Sequence, residues 1–351
     1  MADHREISFA ASRHIENNLY IDVRSPAEYA ADHIPGALNL PLFSDEQRIK
    51  IGAIYHNQPQ QAFLTGLELA APRLPRLMED LAELKRQKNT LILYCWRGGL
   101  RSQAVVEAAA LQNLPCLRLN GGYREYRRWA LDVLNEPITC PLITLNGLTG
   151  CGKTAVLQSL KQDYGLQALD LEGLARHRGS VFGHIGLKPQ PTQKFFQSLL
   201  ARELCRFDSA QPLLLECESR RIGRLLLHDS LYAALKASTR ILLYDSPSGR
   251  AGRLLNEYLP EQHLPEIISA LHSPALLSKF SAARLAKLTA QINAGNYEEV
   301  IEYLLIHYYD PLYHYPSGPA PGYALAVCSA DAKTAAGQIA AFARQLTIEY
   351  L

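Results

Sequence analysis

Cys95 stands in the stretch Tyr94-Cys95-Trp96-Arg97-Gly98-Gly99-Leu100-Arg101-Ser102, between the apolar run Leu91-Ile92-Leu93 and the helix-like Gln103 to Ala110. A cysteine at a strand end, in a glycine-rich loop entering a helix, is placed for chemistry. Loop N–H groups can converge on an anion and the helix N-terminus adds roughly half a positive charge, so a thiolate is favoured there. Arg97 and Arg101 push the same way, which makes Cys95, Arg97 and Arg101 the catalytic candidates. A second cluster lies fifty residues on. Leu142-Ile143-Thr144-Leu145-Asn146 runs into Gly147-Leu148-Thr149-Gly150-Cys151-Gly152-Lys153-Thr154, a complete G-x4-G-K-T phosphate loop (Walker A) with a helix pattern after it. Gly147, Gly150 and Gly152 let backbone N–H groups approach phosphate oxygens, Lys153 supplies a point charge, and Thr154 can ligate Mg²⁺. Cys151 sits inside that loop, where the backbone does the binding.

Further candidates follow the phosphate loop. Pro212 to Glu216 reads as a buried strand ending in carboxylates where a Walker B acid is expected, so Glu216 and Glu218 are candidates to hold Mg²⁺ through water or act as a base, against the alternative of an ion pair with Arg220 or Arg221. Arg250 and Arg253, on the helix after the strand Thr239 to Asp245, are placed like lid arginines and equally like surface charges. The basic, glycine-rich Arg176-His177-Arg178-Gly179 and the later Arg220, Arg221 and Arg224 are candidate RNA contacts.

The elements that must position these groups alternate between strands and helices, which implies mainly parallel sheets. Leu19 to Arg24 is a short buried strand. Ser25-Pro26 opens a helix with a capping serine and a first-turn proline. Pro72 to Gln87 has helical spacing, with Leu74, Leu77, Leu81 and Leu84 on one face. Cys116 to Leu119 is another strand, leading to Asn120-Gly121-Gly122 and a helix from Tyr123 to Leu134. Glu136-Pro137-Ile138-Thr139-Cys140-Pro141 is a linker, giving domains at 1–136 and 137–351. Ser281 to Asn293 and Asn296 to His307 form a helical pair; Tyr323 to Cys328 is a last core strand and Ala332 to Gln345 a closing helix.

A chain of 351 residues, 48% hydrophobic and 20% charged, has apolar material for two cores. The formal charge of +2 is too mild to argue nucleic-acid binding from composition, so such a partner must be read from local arginines. Seven cysteines form no CxxC pair and no Cys/His spacing, so no zinc site is expected, and the odd count suits a reducing compartment. The charged start and the lack of any run of about 18 apolar residues lead to the expectation of a cytoplasmic protein without membrane spans.

From about Ser12 to Leu134 the sequence resembles a rhodanese domain, on Asp22-Val23-Arg24-Ser25-Pro26-Ala27-Glu28-Tyr29, His33-Ile34-Pro35-Gly36-Ala37, the Cys95 loop and Asn120-Gly121-Gly122-Tyr123. The resemblance implies sulfur or selenium carried on Cys95. Cys95 to Arg101 is C-x5-R, one residue longer than the common sulfurtransferase loop and equal to that of rhodanese-like phosphatases, so loop length alone allows phosphate-ester hydrolysis. A rhodanese-like parallel sheet followed by a P-loop α/β domain with helical additions resembles one family in particular, the bacterial tRNA 2-selenouridine synthases. The phrases that carry this are the two loops, His177-Arg178-Gly179-Ser180-Val181-Phe182-Gly183 and Tyr308-Tyr309-Asp310-Pro311-Leu312-Tyr313.

That resemblance implies a transferase converting 2-thiouridine at the wobble position of tRNA to 2-selenouridine. The route would be an S-geranyl intermediate, with geranyl diphosphate and selenophosphate as co-substrates and no tightly bound cofactor. Cys95 would receive selenium as a selanyl-cysteine, and Lys153 and Thr154, with Mg²⁺ as an option, would stabilise the departing diphosphate. The competing classes are a nucleotide-dependent kinase or ATPase fused to a sulfurtransferase, a C-x5-R phosphatase, and a non-catalytic RNA-binding adaptor.

Overall fold

The computed structural model describes residues 5–87, 89–216 and 219–350, of which 347–350 are described by backbone alone. The chain divides into two compact units: one runs through Asn135 and takes in Thr192–Arg202, and the other comprises Glu136–Pro191 and the chain from Glu203 on.

In the first unit five parallel strands form one sheet: β1 (Glu6–Ile7), β2 (Asn18–Asp22), β3 (Leu38–Asn39), β4 (Thr90–Tyr94) and β5 (Leu117–Leu119), in the order β1-β5-β4-β2-β3. The central strand β4 is apolar without alternation, and Leu91, Ile92, Leu93 and Tyr94 are all fully buried, as a parallel strand covered on both faces requires. Leu77, Met78 and Leu81 of the helix Leu74–Arg86 pack on it, together with Val105, Val106 and Ala109 of the helix Leu100–Leu111. The capping serine expected at Ser25 heads the helix Pro26–Ala31, with Glu28 reaching back to the Ser25 N–H at 3.3 Å.

One segment departs from the expected division, in which 137–351 is a single domain. Thr192–Arg202 belongs to the first unit because its side chains are spent there. Arg127 donates to the Lys194 carbonyl at 3.1 Å and to Ser198 Oγ at 3.4 Å, and Phe195 lies 4.1 Å from the ring of His33.

His33 is stacked on Tyr29 at 3.8 Å on its other flank, with Nδ1 2.8 Å from the Tyr29 carbonyl. Burial between these rings pushes its pKa below the ordinary 6.5, against the Tyr29 carbonyl and the nearby Asp32, which act to raise it. The unfolded chain therefore takes up this proton before the folded one does. His33 contributes stability that is fully present above the unfolded pKa and is lost as pH falls through the folded one. Urea unfolding at a series of pH values from 8 to 5, followed by first-unit tryptophan fluorescence, is expected to show a smaller loss for His33→Gln than for the parent. The difference should stay under about 1 kcal/mol, since the ring is still partly in water.

In the second unit β6 (Leu142–Asn146), β7 (Gln167–Leu169), β8 (Leu213–Glu216), β11 (Thr239–Tyr244) and β12 (Leu325–Cys328) make a parallel sheet in the order β12-β11-β6-β8-β7; the short β9 (Arg221–Ile222) and β10 (Leu225–Leu226) pair as an antiparallel hairpin. Ile143, Leu145, Leu214, Ile241 and Leu243 give the sheet a fully buried centre. It is closed by the helix Ala332–Tyr350, whose Ala335, Ala336, Ile339, Ala340 and Ala343 recur at helical spacing on the buried face. A second core lies in the helical additions, around Leu254, Leu271, Leu285, Leu288 and Leu304. Among the described residues no helix is long and apolar enough to cross a membrane.

Candidate active site

Each chemistry-bearing loop leaves the central strand of its sheet, β4 or β6, at the carboxyl end, where neighbouring connections diverge and open a crevice. Cys95 follows β4 and is 3% exposed. Its Sγ accepts from Ser102 Oγ at 3.3 Å and lies 3.7 Å from the Gly99 carbonyl oxygen. Sequence reasoning missed Ser102; its spacing of seven from Cys95, in the first turn of the helix Leu100–Leu111, was the signal available. A sulfur or selenium anion held at Cys95 thus has a hydroxyl donor beside it. The carbonyls of Cys95 and Trp96 accept from the N–H groups of Tyr123 and Arg124 at 2.9 and 3.0 Å, which fixes the loop against the helix Gly122–Asn135.

That anchoring explains the Asn120-Gly121-Gly122 phrase. Gly122 has φ +55, and a Cβ there would collide with the Cys95 carbonyl oxygen and the Gly98 nitrogen. Gly122→Ala is expected to displace the Cys95 loop and to cost about 1–3 kcal/mol, the price of a strained backbone position. A lowered melting temperature together with a changed rate of Cys95 thiol labelling would confirm this; unchanged labelling would place the constraint elsewhere.

The two loop arginines have different settings. Arg97 is exposed and makes no ion pair with a described residue. Arg101 is only 22% exposed and donates to Glu28 at 2.8 Å, so its charge is already matched. Burial acts to raise the Glu28 pKa, but the Arg101 bond and charge and the Ser25 N–H outweigh it and hold the carboxyl below its usual value. Asp22 and Arg24 are buried framework: Arg24 Nε and Nη2 donate to the Asp22 carboxylate at 2.6–3.0 Å, and its guanidinium lies 4.0 Å from the Tyr123 ring centroid.

Following β6, Gly147, Gly150 and Gly152 all have positive φ, at 152°, 82° and 71°. The helix Lys153–Gln162 then begins directly behind Gly152, aiming its N-terminus at the loop. Lys153 Nζ donates to the Gly147 carbonyl at 3.3 Å, and Thr154 Oγ1 donates to Glu216 Oε2 at 3.3 Å. Glu216 is wholly buried at the end of β8, where Leu145↔Glu216 is the last register pair with β6. It also accepts from the Glu172 N–H at 3.1 Å. Burial, then the like charges of Glu172 and Asp170, raise its pKa well above the ordinary carboxylate value. Glu218, the other candidate carboxylate, lies outside the described residues. Cys151 is 1% exposed in the sheet core, and burial pushes its thiol pKa up, which suits a packing role.

Arg250 and Arg253 brace the phosphate loop. Arg250 is 1% exposed, donates through Nε to the Thr149 carbonyl at 2.8 Å, and forms a two-pronged pair with Asp310 at 2.5 and 3.0 Å. A lid cation must reach solvent to close on a substrate; Arg250 is built in instead. Arg253 donates to the Gly150 carbonyl, the Asp245 carboxylate and the Ser329 carbonyl. Both guanidiniums therefore hold loop carbonyls. Asp310 and Asp245 were not singled out as partners in the sequence, although Asp310 stands in the conspicuous Tyr-Tyr-Asp-Pro phrase.

A cavity of about 590 Å³ opens at the loop, lined by Lys153, Thr154, Arg178 and Arg253 and by Leu254, Tyr258, Tyr313 and Tyr315. Arg178 thus faces the phosphate site, paired with Glu257 at 2.5 Å and 5.0 Å from the Tyr258 ring centroid. Arg176 donates to the Pro189 carbonyl at 3.3 Å and Arg224 to the Gln190 carbonyl at 2.6 Å. Arg220, Arg221 and Arg224 are exposed on or beside the β9–β10 hairpin, and Arg220 pairs with the exposed Asp229 at 2.6 Å. The structure gathers the phosphate-loop residues, Glu216 and Arg178 at one site and leaves the hairpin arginines on the surface.

Residues 9–128 match the family described as Rhodanese-like domain, and residues 140–288 match the family described as tRNA 2-selenouridine synthase AAA domain. A Shewanella oneidensis protein named tRNA 2-selenouridine synthase is 35% identical over 327 residues, covering 84% of this chain and 85% of its own. Proteins of the same name from Shewanella halifaxensis and Pseudomonas fluorescens are 32% and 33% identical, covering 86% and 89% of this chain and 89% and 90% of theirs. The likeness thus spans both units and both loops in one continuous match, and on that ground this chain belongs to the tRNA 2-selenouridine synthase family.

Proposed function

We propose that this protein converts 2-thiouridine at the wobble position of tRNA to 2-selenouridine through an S-geranyl intermediate. The second unit binds geranyl diphosphate on its phosphate loop and the first unit holds selenium at Cys95. The observation that carries this reading is the lining of the phosphate-loop cavity. Lys153 supplies positive charge, with Arg178 and Arg253 beside it in pairs with Glu257 and Asp245, while Leu254, Tyr258, Tyr313 and Tyr315 supply aliphatic and aromatic surface, a combination suited to an organic diphosphate.

In the first step the thiouridine sulfur attacks C1 of the geranyl chain, the C1–O bond breaks, the diphosphate leaves with the bonding electrons, and the N3 proton is released. Lys153, the glycine-loop N–H groups and the helix N-terminus stabilise the charge that develops on the diphosphate. In the second step a selenium nucleophile at the selenide level adds to C2, the C2–S bond breaks, and geranylthiolate departs and takes up a proton. The Cys95 sulfur attacks the phosphorus of selenophosphate, the P–Se bond breaks and frees selenium at the selenide level beside Cys95, and water then cleaves the S–P bond, releasing phosphate and restoring the thiol. Alkylation makes sulfur the better leaving group, so the order of steps follows from the chemistry.

The oxygen donors Thr154 Oγ1 and Glu216 fit Mg²⁺, which keeps several waters and takes other ligands from substrate phosphates. When bound it would neutralise part of the diphosphate charge. The exposed Arg220, Arg221 and Arg224 are candidate contacts to the tRNA backbone.

The test is a reconstitution with thiolated tRNA, omitting one co-substrate at a time and weighing the digested nucleosides. S-geranyl-2-thiouridine is expected with geranyl diphosphate alone, and 2-selenouridine only when selenophosphate is present as well. Saturable ATP turnover with no change in the nucleoside would favour a nucleotide-dependent kinase or ATPase.

A further inference from the structure

Beside the phosphate-loop cavity lies a second, almost wholly apolar one of about 60 Å³, within the helical core of the same unit. Thr149, Leu254 and Tyr258 line both, so the two adjoin at the phosphate loop itself. Deeper in, the apolar cavity is walled by Ile267 and Leu271 of the helix Leu264–Leu271, Ile292 of the helix Ala282–Asn293, and Leu304. The helix Tyr297–Leu304 passes directly into a π-helical turn, Leu305–Tyr309, whose first and last residues also line the cavity. Such wide turns cost hydrogen-bond geometry and recur at functional sites.

The exposed lining offers water almost no polar surface, and 60 Å³ is several times what one water needs yet well below the roughly 150 Å³ of an engineered cavity that takes a benzene ring. It is suited to the end of a narrow hydrocarbon chain. Resting on the reading of the phosphate loop as an organic-diphosphate site, we infer that this cavity seats the distal part of the substrate's hydrocarbon tail and that its depth sets the longest chain accepted. The diphosphate stays on Lys153 while the tail passes Leu254 and Tyr258 into the helical core. Burying methylenes should improve affinity about fourfold each until the cavity is full, after which longer chains should lose.

The experiment measures dissociation constants of inorganic diphosphate and of dimethylallyl, geranyl and farnesyl diphosphate for the full chain. Wild type is expected to bind geranyl diphosphate at least tenfold more tightly than dimethylallyl or inorganic diphosphate. Ile301→Phe, at a partly buried lining position, should remove most of that advantage and leave inorganic diphosphate binding unchanged. Leu271→Ala should deepen the cavity and raise farnesyl affinity relative to geranyl. If geranyl diphosphate binds wild type tightly but both variants, shown folded by circular dichroism, keep the parental ranking of chain lengths, the tail lies elsewhere. A wild-type ranking that favours farnesyl over geranyl overturns the inference with no variant needed. If no prenyl diphosphate binds better than inorganic diphosphate, the organic-diphosphate reading fails first and this inference with it.

Discussion

Lys153→Ala is expected to lower prenyl transfer by on the order of a hundredfold or more, because it deletes a preorganised cation from the place where the leaving diphosphate gathers charge. The rest of the loop should survive the change. Arg250 and Arg253 hold the Thr149 and Gly150 carbonyls independently of Lys153, and Thr154 keeps its contact to Glu216. The loss should therefore be in transfer and diphosphate binding, with melting temperature little altered. Quantifying S-geranyl nucleoside in single-turnover reactions checks this, and undiminished product would remove the phosphate loop from the prenyl step.

Cys95→Ser should abolish 2-selenouridine formation, a loss of a thousandfold or more, while leaving prenyl transfer intact. The substitution keeps the shape of a buried side chain and leaves Ser102 a partner, but it replaces the sulfur nucleophile that frees selenium from selenophosphate with a poorly nucleophilic hydroxyl. Given all three substrates, the variant should accumulate geranylated tRNA. Retention of 2-selenouridine at the normal rate would reduce the first unit to a scaffold, and loss of prenylation as well would mean that the two sites are not separable.

Both reactive loops were legible in the sequence because each is a local device. A buried apolar strand, a glycine turn and a helix start lie within about fifteen residues, and the structure puts each on the central strand of its sheet. Glu216 was legible for the same reason, as the first carboxylate after Leu213-Leu214-Leu215. What escaped depends on distant partners. Arg250 reads from sequence as a lid arginine or a surface charge, and its distant partners Asp310, sixty residues on, and the Thr149 carbonyl explain its burial. Thr192–Arg202 lies deep in the second domain by sequence, yet its Phe195 and Ser198 meet His33 and Arg127. The helices Asp45–Asn57 and Pro59–Ala70 went unread because Ile49, Tyr55, Phe63, Leu64 and Leu67 are exposed, so their apolar residues make no clean buried stripe.

The central claim is that two chemically distinct half-reactions occupy two separate sites on this chain. It is tested most directly by taking the tRNA recovered from a Cys95→Ser reaction and giving it to Lys153→Ala with selenophosphate and no geranyl diphosphate. The account predicts that the S-geranyl nucleoside disappears and 2-selenouridine appears at close to the wild-type rate, since the phosphate loop has no part left to play. S-geranyl-2-thiouridine recovered unchanged, under conditions where wild type consumes it, would contradict the division.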